Sequence, residues 1–344
     1  MSSCEDAAYR RLMECAHGFM VSQVVFAACE LRVFDALDAL GPLDADAVAE
    51  RLSTSTRGTE LLLDTCVGLG LLHVDVRGGR ARYSNSELSS TFLASGGTQS
   101  QHHLLLYLAG TPYRCWGSLA RAVRQGRNQY PEALGVPSHE PFAAIYRSEA
   151  ERLRFMRGLQ DMWRVCGRRV MAAFDLSPFR VICDVGGGSG ALAKDCAALY
   201  PGSRVTVFDV PEVVSAAKTH FRFHREGRIE FCAGDFFQDD LPEAELYILA
   251  RILHDWSDGD CARLLARIHQ ACAPGGGVLV IESVLDEDGR GPVSTLLLSL
   301  NMLVQTEGQE RTVTQYRALT ASAGFPRFKW EKTGGVYDVM LARK

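Results

Sequence analysis

The chain has 344 residues, 47% hydrophobic and 23% charged, which is the balance of a folded globular protein of about two domains and excludes a disordered one. Its 37 basic residues against 41 acidic ones give a net charge of -4, so no global basic field draws it to nucleic acid or to an anionic membrane. No apolar run is read as approaching the ~18 to 20 residues of a membrane span, and Met1-Ser2-Ser3-Cys4-Glu5-Asp6 lacks the basic flank and apolar core of a signal peptide, so a cytoplasmic location is expected.

The first 110 residues read as helical. Phe19, Met20, Val24, Ala27, Ala28 and Leu31 recur at three- and four-residue steps, an apolar stripe suited to a dimer face. A short helix is predicted from Leu43 behind Pro42 and another over Thr56 to Leu72. Leu72 to Val76 and Ala81 to Ser84 alternate around Arg77-Gly78-Gly79-Arg80, a β-hairpin signature. Helices followed by one hairpin make a winged-helix-like domain, read as protein-binding because it is not basic overall. Gly110 to Gly135 is predicted to be a connector with one helix around Trp116 to Arg124, and a longer helix covers Glu149 to Phe174.

Beyond Pro178 the texture changes. Val181 to Val185, Arg204 to Phe208, Ile229 to Cys232, Leu246 to Leu249 and Gly277 to Ile281 are short β-rich runs alternating with helical stretches. That alternation predicts an α/β fold, a Rossmann-like parallel sheet with helices on both faces. Phe325 to Glu331 and Val336 to Ala342, around Thr333-Gly334-Gly335, end it with an antiparallel hairpin. The predicted domains are 1–110 and 111–344, the latter a helical connector over 111–178 and a core over 179–344. Eleven cysteines, scattered singly from Cys4 to Cys272, read as reduced thiols, and no metal site is expected. The nearest metal-like pair, His220 and His224, sits with Arg222 and Arg225 and reads as a solvated basic face.

The strongest chemical signal is Val181-Ile182-Cys183-Asp184-Val185-Gly186-Gly187-Gly188-Ser189-Gly190, a buried strand entering a glycine-rich turn and a helix. Gly186, Gly188 and Ala191 also fit a nicotinamide fingerprint, but Asp184 just before them would repel a pyrophosphate and attract an ammonium. S-adenosylmethionine carries that ammonium. Asp209, ending the next strand, is predicted to grip the ribose hydroxyls, with helix capping as the alternative. Gly234-Asp235-Phe236 would offer a carboxylate and an aromatic face to adenine. Past the fourth strand, His254 is the candidate base, with Glu282 or Glu310 as the carboxylate that fixes its tautomer; salt bridges to Arg311 or Arg290 are the alternative role of those glutamates. From the residues alone, a nicotinamide-dependent oxidoreductase and a catalytically silent partner protein remain open.

Asp184 to Gly190, Gly234 to Phe236, Leu253-His254-Asp255-Trp256-Ser257-Asp258 and Gly308-Gln309-Glu310-Arg311-Thr312 together resemble the S-adenosylmethionine-dependent small-molecule O-methyltransferases with an N-terminal dimerisation domain. Gly18 to Gln23, Tyr113 to Gly117, Ala144 to Glu149 and Ser299 to Gly308 extend the likeness over nearly the whole chain, toward the vertebrate members that methylate hydroxyindoles. The resemblance implies a homodimer that uses no metal and a small hydroxyindole substrate. It implies His254 as catalytic base, Asp255, Asn301 and Gln305 as substrate contacts, and Tyr146, Trp163, Asp209, Gly234, Asp235, Phe236 and Arg251 as cofactor contacts. Ala250-Arg251 stands where many plant members carry Lys-Trp, a departure the vertebrate members share and one that narrows the match; Arg32 and Gly70 stand where Gly and Lys are expected, departures that bear on stability rather than chemistry.

Overall fold

A computed structural model describes residues 3–136, 140–221 and 227–344. The chain divides into two compact units, Met1–Gly110 and Thr111–Lys344. His224, Arg222 and Arg225 lie outside the described residues; His220 faces Glu149, with Nε2 3.4 Å from Oε1.

The first unit contains α1 (Ser3–Glu30), α2 (Val33–Leu40), α3 (Ala45–Leu52), α4 (Thr56–Gly68), the hairpin β1 (Leu72–Arg77) and β2 (Arg80–Asn85), and α5 (His102–Gly110). Asp44 caps α3 by accepting the N–H of Ala47, and Ser55 caps α4 by accepting that of Gly58. Helix α4 stops four residues before the predicted Leu72, because Gly70 (φ 71°) turns the chain into β1. The α1 stripe divides in two. Ala28 is buried and Val24 packs against the same core, whereas Tyr9, Leu12, Phe19 and Met20 are exposed. Within α1, Glu5–Glu30 is by length and composition apolar enough to cross a membrane, with a mean hydropathy of 1.4. Counting only unbroken apolar runs misses this, since isolated polar residues interrupt the run without lowering the average much.

The second unit opens with three short helices, α6 (Pro112–Trp116), α7 (Leu119–Gln125) and α8 (Tyr130–Leu134), where one was predicted; helices of five to seven residues show too little periodicity to read. Next come α9 (Pro141–Ile145), α10 (Glu149–Met171), β3 (Val181–Val185), α11 (Ala191–Leu199), β4 (Arg204–Asp209), α12 (Pro211–His220), β5 (Ile229–Ala233) and β6 (Ala244–Ala250). The chain continues through α13 (Asp258–Ala271), β7 (Cys272–Glu282), β8 (Val284–Leu285), α14 (Val293–Gln305), β9 (Arg311–Thr312), α15 (Val313–Ser322), β10 (Arg327–Glu331) and β11 (Asp338–Arg343).

Seven described strands form one sheet in the order β10-β11-β7-β6-β3-β4-β5. The run from β7 to β5 is parallel, and β11 inserts antiparallel to both β7 and β10. Strand β7 begins five residues before the predicted Gly277, because Pro274-Gly275-Gly276 forms an irregularity within the strand rather than a turn ahead of it. Side chains alternate strictly. Tyr247, Leu249, Val278 and Val280 enter a core with Leu264 and Ile268 of α13, while Leu246, Ile248, Leu279 and Ile281 enter one with Leu192 and Cys196 of α11. Strand order reverses at β3, so the crevice at the carboxyl ends of β3, β4 and β6 is where a ligand fits.

The two departures in the first unit act in opposite directions. Gly70 relieves a left-handed position, but Arg32 (φ 62°) occupies one with an exposed side chain that donates to Ser95 Oγ at 3.4 Å and lies 3.8 Å from Asp35 Oδ1. Arg32→Gly should raise stability by about 0.5 to 1 kcal/mol, the left-handed penalty less glycine's entropy. Arg32→Ala, which keeps the Cβ, should not. Denaturant midpoints check both.

Candidate active site

Three loops converge at the switch point. Gly186, Gly188 and Gly190 all have positive φ, and the Gly186 N–H donates to Phe208 O at 2.8 Å. A Cβ on Gly186 would lie 2.5 Å from Ile252 Cδ1 and 3.9 Å from Phe236 Cε1, so the ends of β3, β5 and β6 meet there. Asp209 accepts from Gly188 N and Val210 N, both at 2.8 Å, which ties β4 to the glycine loop; it does not cap α12, whose N-cap is Val210. Asp235 holds its own turn, accepting from Phe237 N at 2.8 Å and Gln238 Nε2 at 2.9 Å. Arg267 secures that turn from beneath through the Phe236 and Asp239 carbonyls.

Asp184, the residue before the last of β3, is buried, and its Oδ2 has no hydrogen-bond partner among the described residues. Burial, and then the Asp209 charge, push its carboxyl up to about 7; burial likewise pushes Asp209 up to about 6. The backbone at Gly188 faces open space, and α11 starts without a side-chain cap. An unpartnered acid beside open backbone and free helix N–H groups suits a nucleoside ligand that bears an ammonium.

The second cluster follows β6. Arg251 takes a left-handed φ of 57°, its N–H bonded to Ile281 O, and the chain then turns through Leu253–Asp255. His254, Glu282 and Glu310 are all buried. Glu282 Oε1 accepts the N–H groups of Ile252 (3.0 Å) and His254 (3.3 Å), and His254 Nδ1 lies 2.9 Å from Glu310 Oε1 and 3.4 Å from Glu282 Oε2. Both glutamates therefore face the imidazole, and neither pairs with Arg311 or Arg290 among the described contacts. Nε2 is 3.6 Å from Asp255 Oδ1, beyond hydrogen-bond reach. Burial lowers the His254 pKa, but Glu282, Glu310 and Asp255 outweigh it and bring it up to about 9. The three side chains also have the composition of a metal centre, with ligand atoms within 4.8 Å of one another. Their hydrogen bonds account for that closeness, since 2.9 Å from Nδ1 to Oε1 is the length of a shared proton.

Long-range pairing builds this cluster. Strands β8 and β9 pair in parallel, Val284 with Arg311, which brings Glu310 to Glu282. A capping box between Thr312 and Gln315 starts α15 immediately afterward. Arg311, 1% exposed, donates to Leu253 O at 2.8 Å and Trp256 O at 2.9 Å, on either side of His254 and Asp255, and pairs with Asp258 at 2.7 Å. Gly308 lies against the same turn, where a Cβ would collide with the His254 carbonyl and the Asp255 backbone. The sequence pattern pointed to no role for Gly308 and offered Arg311 only as a salt-bridge partner of the glutamates, although both stand in the Gly308 to Thr312 motif.

On α14, Asn301 Oδ1 accepts from Trp116 Nε1 at 2.9 Å and from Gln305 Nε2 at 2.6 Å, and Gln305 Oε1 accepts from Tyr130 at 3.2 Å. Trp116 and Tyr130 are further residues the sequence did not reveal. Phe142 stacks on Trp256 (centroids 5.5 Å apart) and contacts Tyr146 at 5.8 Å, giving an aromatic wall next to Asp255. Trp163 packs against Tyr337 at 5.5 Å, and the Arg251 guanidinium lies 5.9 Å from the Tyr337 ring with its buried Nε unpartnered.

Residues 116–326 match the O-methyltransferase domain family, and residues 13–95 match the O-methyltransferase dimerisation domain. The chain belongs to the O-methyltransferase family. It is 63% identical to acetylserotonin O-methyltransferase of Homo sapiens over 345 residues and 52% identical to that of Gallus gallus over 346, each covering 100% of both chains. The crystal structure of human N-acetylserotonin methyltransferase in complex with SAM superposes with a TM-score of 0.97 at 63% identity, covering 100% of this chain and 99% of that one. Family membership replaces the nicotinamide reading of the glycine loop.

Gly308→Ala should displace the His254 turn, because the obstruction is backbone that cannot rotate away. We expect kcat to fall ~100-fold or more, the scale of a lost general base, while donor affinity by calorimetry stays within about threefold.

Proposed function

We propose that this chain transfers the methyl group of S-adenosylmethionine to the 5-hydroxyl of N-acetylserotonin, giving melatonin and S-adenosylhomocysteine. The observation that carries the reading is His254, buried with Nδ1 held by Glu310 and Nε2 unbonded, in a chain 63% identical end to end with a relative named for that substrate. Bound S-adenosylmethionine supplies a sulfonium-activated methyl group. Asp184 would face its ammonium, Asp209 its ribose and Phe236 its adenine, with Arg251, Trp163, Tyr146, Gly234 and Asp235 completing the donor site. Asn301 and Gln305 would bind the acetamide of the acceptor, and Asp255 would flank its hydroxyl.

The two carboxylates answer a mismatch of basicity. An ordinary His, near ~6.5, facing a phenol near ~10 would need about 3.5 units of proton-transfer work, roughly 5 kcal/mol. With His254 raised to about 9 the gap shrinks to about one unit, roughly 1.4 kcal/mol. Glu282 and Glu310 thus stabilise the imidazolium that forms as the phenolic proton leaves. Alignment of oxygen, methyl and sulfur contributes the larger part of the rate, potentially ~7 to 11 kcal/mol.

The direct test is mass spectrometry of the chain with S-adenosylmethionine and a panel of hydroxyindoles. One methyl added to the 5-hydroxyl of N-acetylserotonin is expected, and methylation elsewhere or none contradicts the proposal. The active base is neutral, so kcat/KM should rise with pH from 7 and level near 9. His254→Gln should remove that limb and lower turnover ~100-fold or more at neutral pH, with donor affinity held. A flat wild-type profile, or a fully active Gln variant, contradicts the base assignment.

We further propose that the exposed apolar half of α1 forms a homodimer interface. Light scattering should give twice 37.8 kDa, and Phe19→Asp with Met20→Asp should give the monomer mass.

A further inference from the structure

Asn301 and Gln305 lie one helical turn apart, and their amides form a directional hydrogen-bond chain. Trp116 and Gln305 both donate to Asn301 Oδ1, and Tyr130 donates to Gln305 Oε1. An isolated Asn is nearly indifferent to an exchange of its oxygen and nitrogen. The indole N–H, however, only donates. A flipped Asn301 would set its NH2 against both the Trp116 N–H and the Gln305 N–H, so its oxygen is held toward them. Its NH2, with no partner among the described residues, becomes the group offered outward from a half-buried side chain.

We infer that Trp116 is a specificity-positioning residue: by holding Asn301 Oδ1 it makes the acceptor site present an N–H donor, which selects hydroxyindoles with a neutral carbonyl side chain over those with an ammonium. The inference deepens the proposed reaction and rests on Asn301 lining the acceptor site. An amide N–H hydrogen-bonds a carbonyl oxygen but opposes an ammonium, which has no acceptor to offer. Were Asn301 reversed, its oxygen would welcome the ammonium and leave the acetamide carbonyl unpaired in a desolvated site.

Trp116→Phe keeps an aromatic ring and deletes the donor. Steady-state kinetics on three acceptors separate positioning from support: N-acetylserotonin, its free amine serotonin, and the alcohol analogue 5-hydroxytryptophol, whose hydroxyl donates and accepts equally well. We expect KM for N-acetylserotonin to rise about 5- to 20-fold with kcat nearly held, the amide-over-amine preference to narrow by a similar factor, and the alcohol to change less than about twofold. An equal loss on all three acceptors, or no change on any, overturns the inference. If that variant does not fold, Asn301→Asp serves, because its carboxylate accepts both existing donors and replaces the free NH2 with oxygen. Asn301→Asp should turn the preference toward the amine, and a retained amide preference overturns the inference. Wild-type chain inert toward all three acceptors would overturn the proposed reaction and this inference together, whereas failure confined to the variants overturns the inference alone.

Discussion

One imidazole and two glutamates are buried side by side, and most of the second unit is arranged to make that tolerable. A buried charge is costly unless it is paired and hydrogen-bonded. Glu282 meets the condition with two backbone N–H groups and the His254 ring, and Glu310 with His254 Nδ1. The Glu310 backbone N–H is itself held by Ser299 of α14 at 3.3 Å. Breaking either carboxylate contact would leave a charge stranded in a dry interior, so the cluster locks the ends of β6 and β7, the loop before α15 and α14 into one arrangement. The same locking makes His254 a stronger base, so stability and chemistry draw on one set of contacts.

The donor side is built on a different principle. Its carboxylates, Asp184 and Asp209, are buried beside each other without a basic side chain within salt-bridge distance among the described residues, and burial raises both. Of that pair, Asp184 Oδ2 accepts no hydrogen bond among the described residues, and the ammonium of the proposed donor would supply the missing partner. The His254 cluster is instead charge-paired within the protein, although Glu282 Oε2 and Glu310 Oε2 accept no hydrogen bond among the described residues. In the proposed reaction one half of the site would serve proton transfer and the other would be completed by the donor, and Ile252, against Gly186, joins the two.

Legibility in the sequence followed the range of the interaction. Asp184, the glycines, Asp209 and His254 sit at strand ends, where local pattern announces both the strand and the turn, and those positions could be named in advance. Whether Glu282 or Glu310 serves His254 could not be decided locally, because the answer depends on β8 pairing with β9 across 25 intervening residues; the structure shows both in contact. Trp116 was out of reach for the same reason, being 185 residues from Asn301. The short helices α6 and α8 fell below the length at which periodicity speaks, and Pro274-Gly275-Gly276 imitated a turn inside β7. The backbone strain at Arg32 was legible only as an unexpected residue, since φ is invisible in sequence.

Buried carboxylates raise the basicity of His254, and NMR of the imidazole tests this without any turnover. With histidine labelled at the ring and His254→Gln used to assign the resonance, a pH titration of the ligand-free protein should show His254 changing protonation near pH 9. In Glu310→Gln the transition should move to lower pH, because a charge and a charge-assisted hydrogen bond are lost. A wild-type transition at or below the ordinary imidazole range near ~6.5, or one indifferent to Glu310→Gln, would contradict the account.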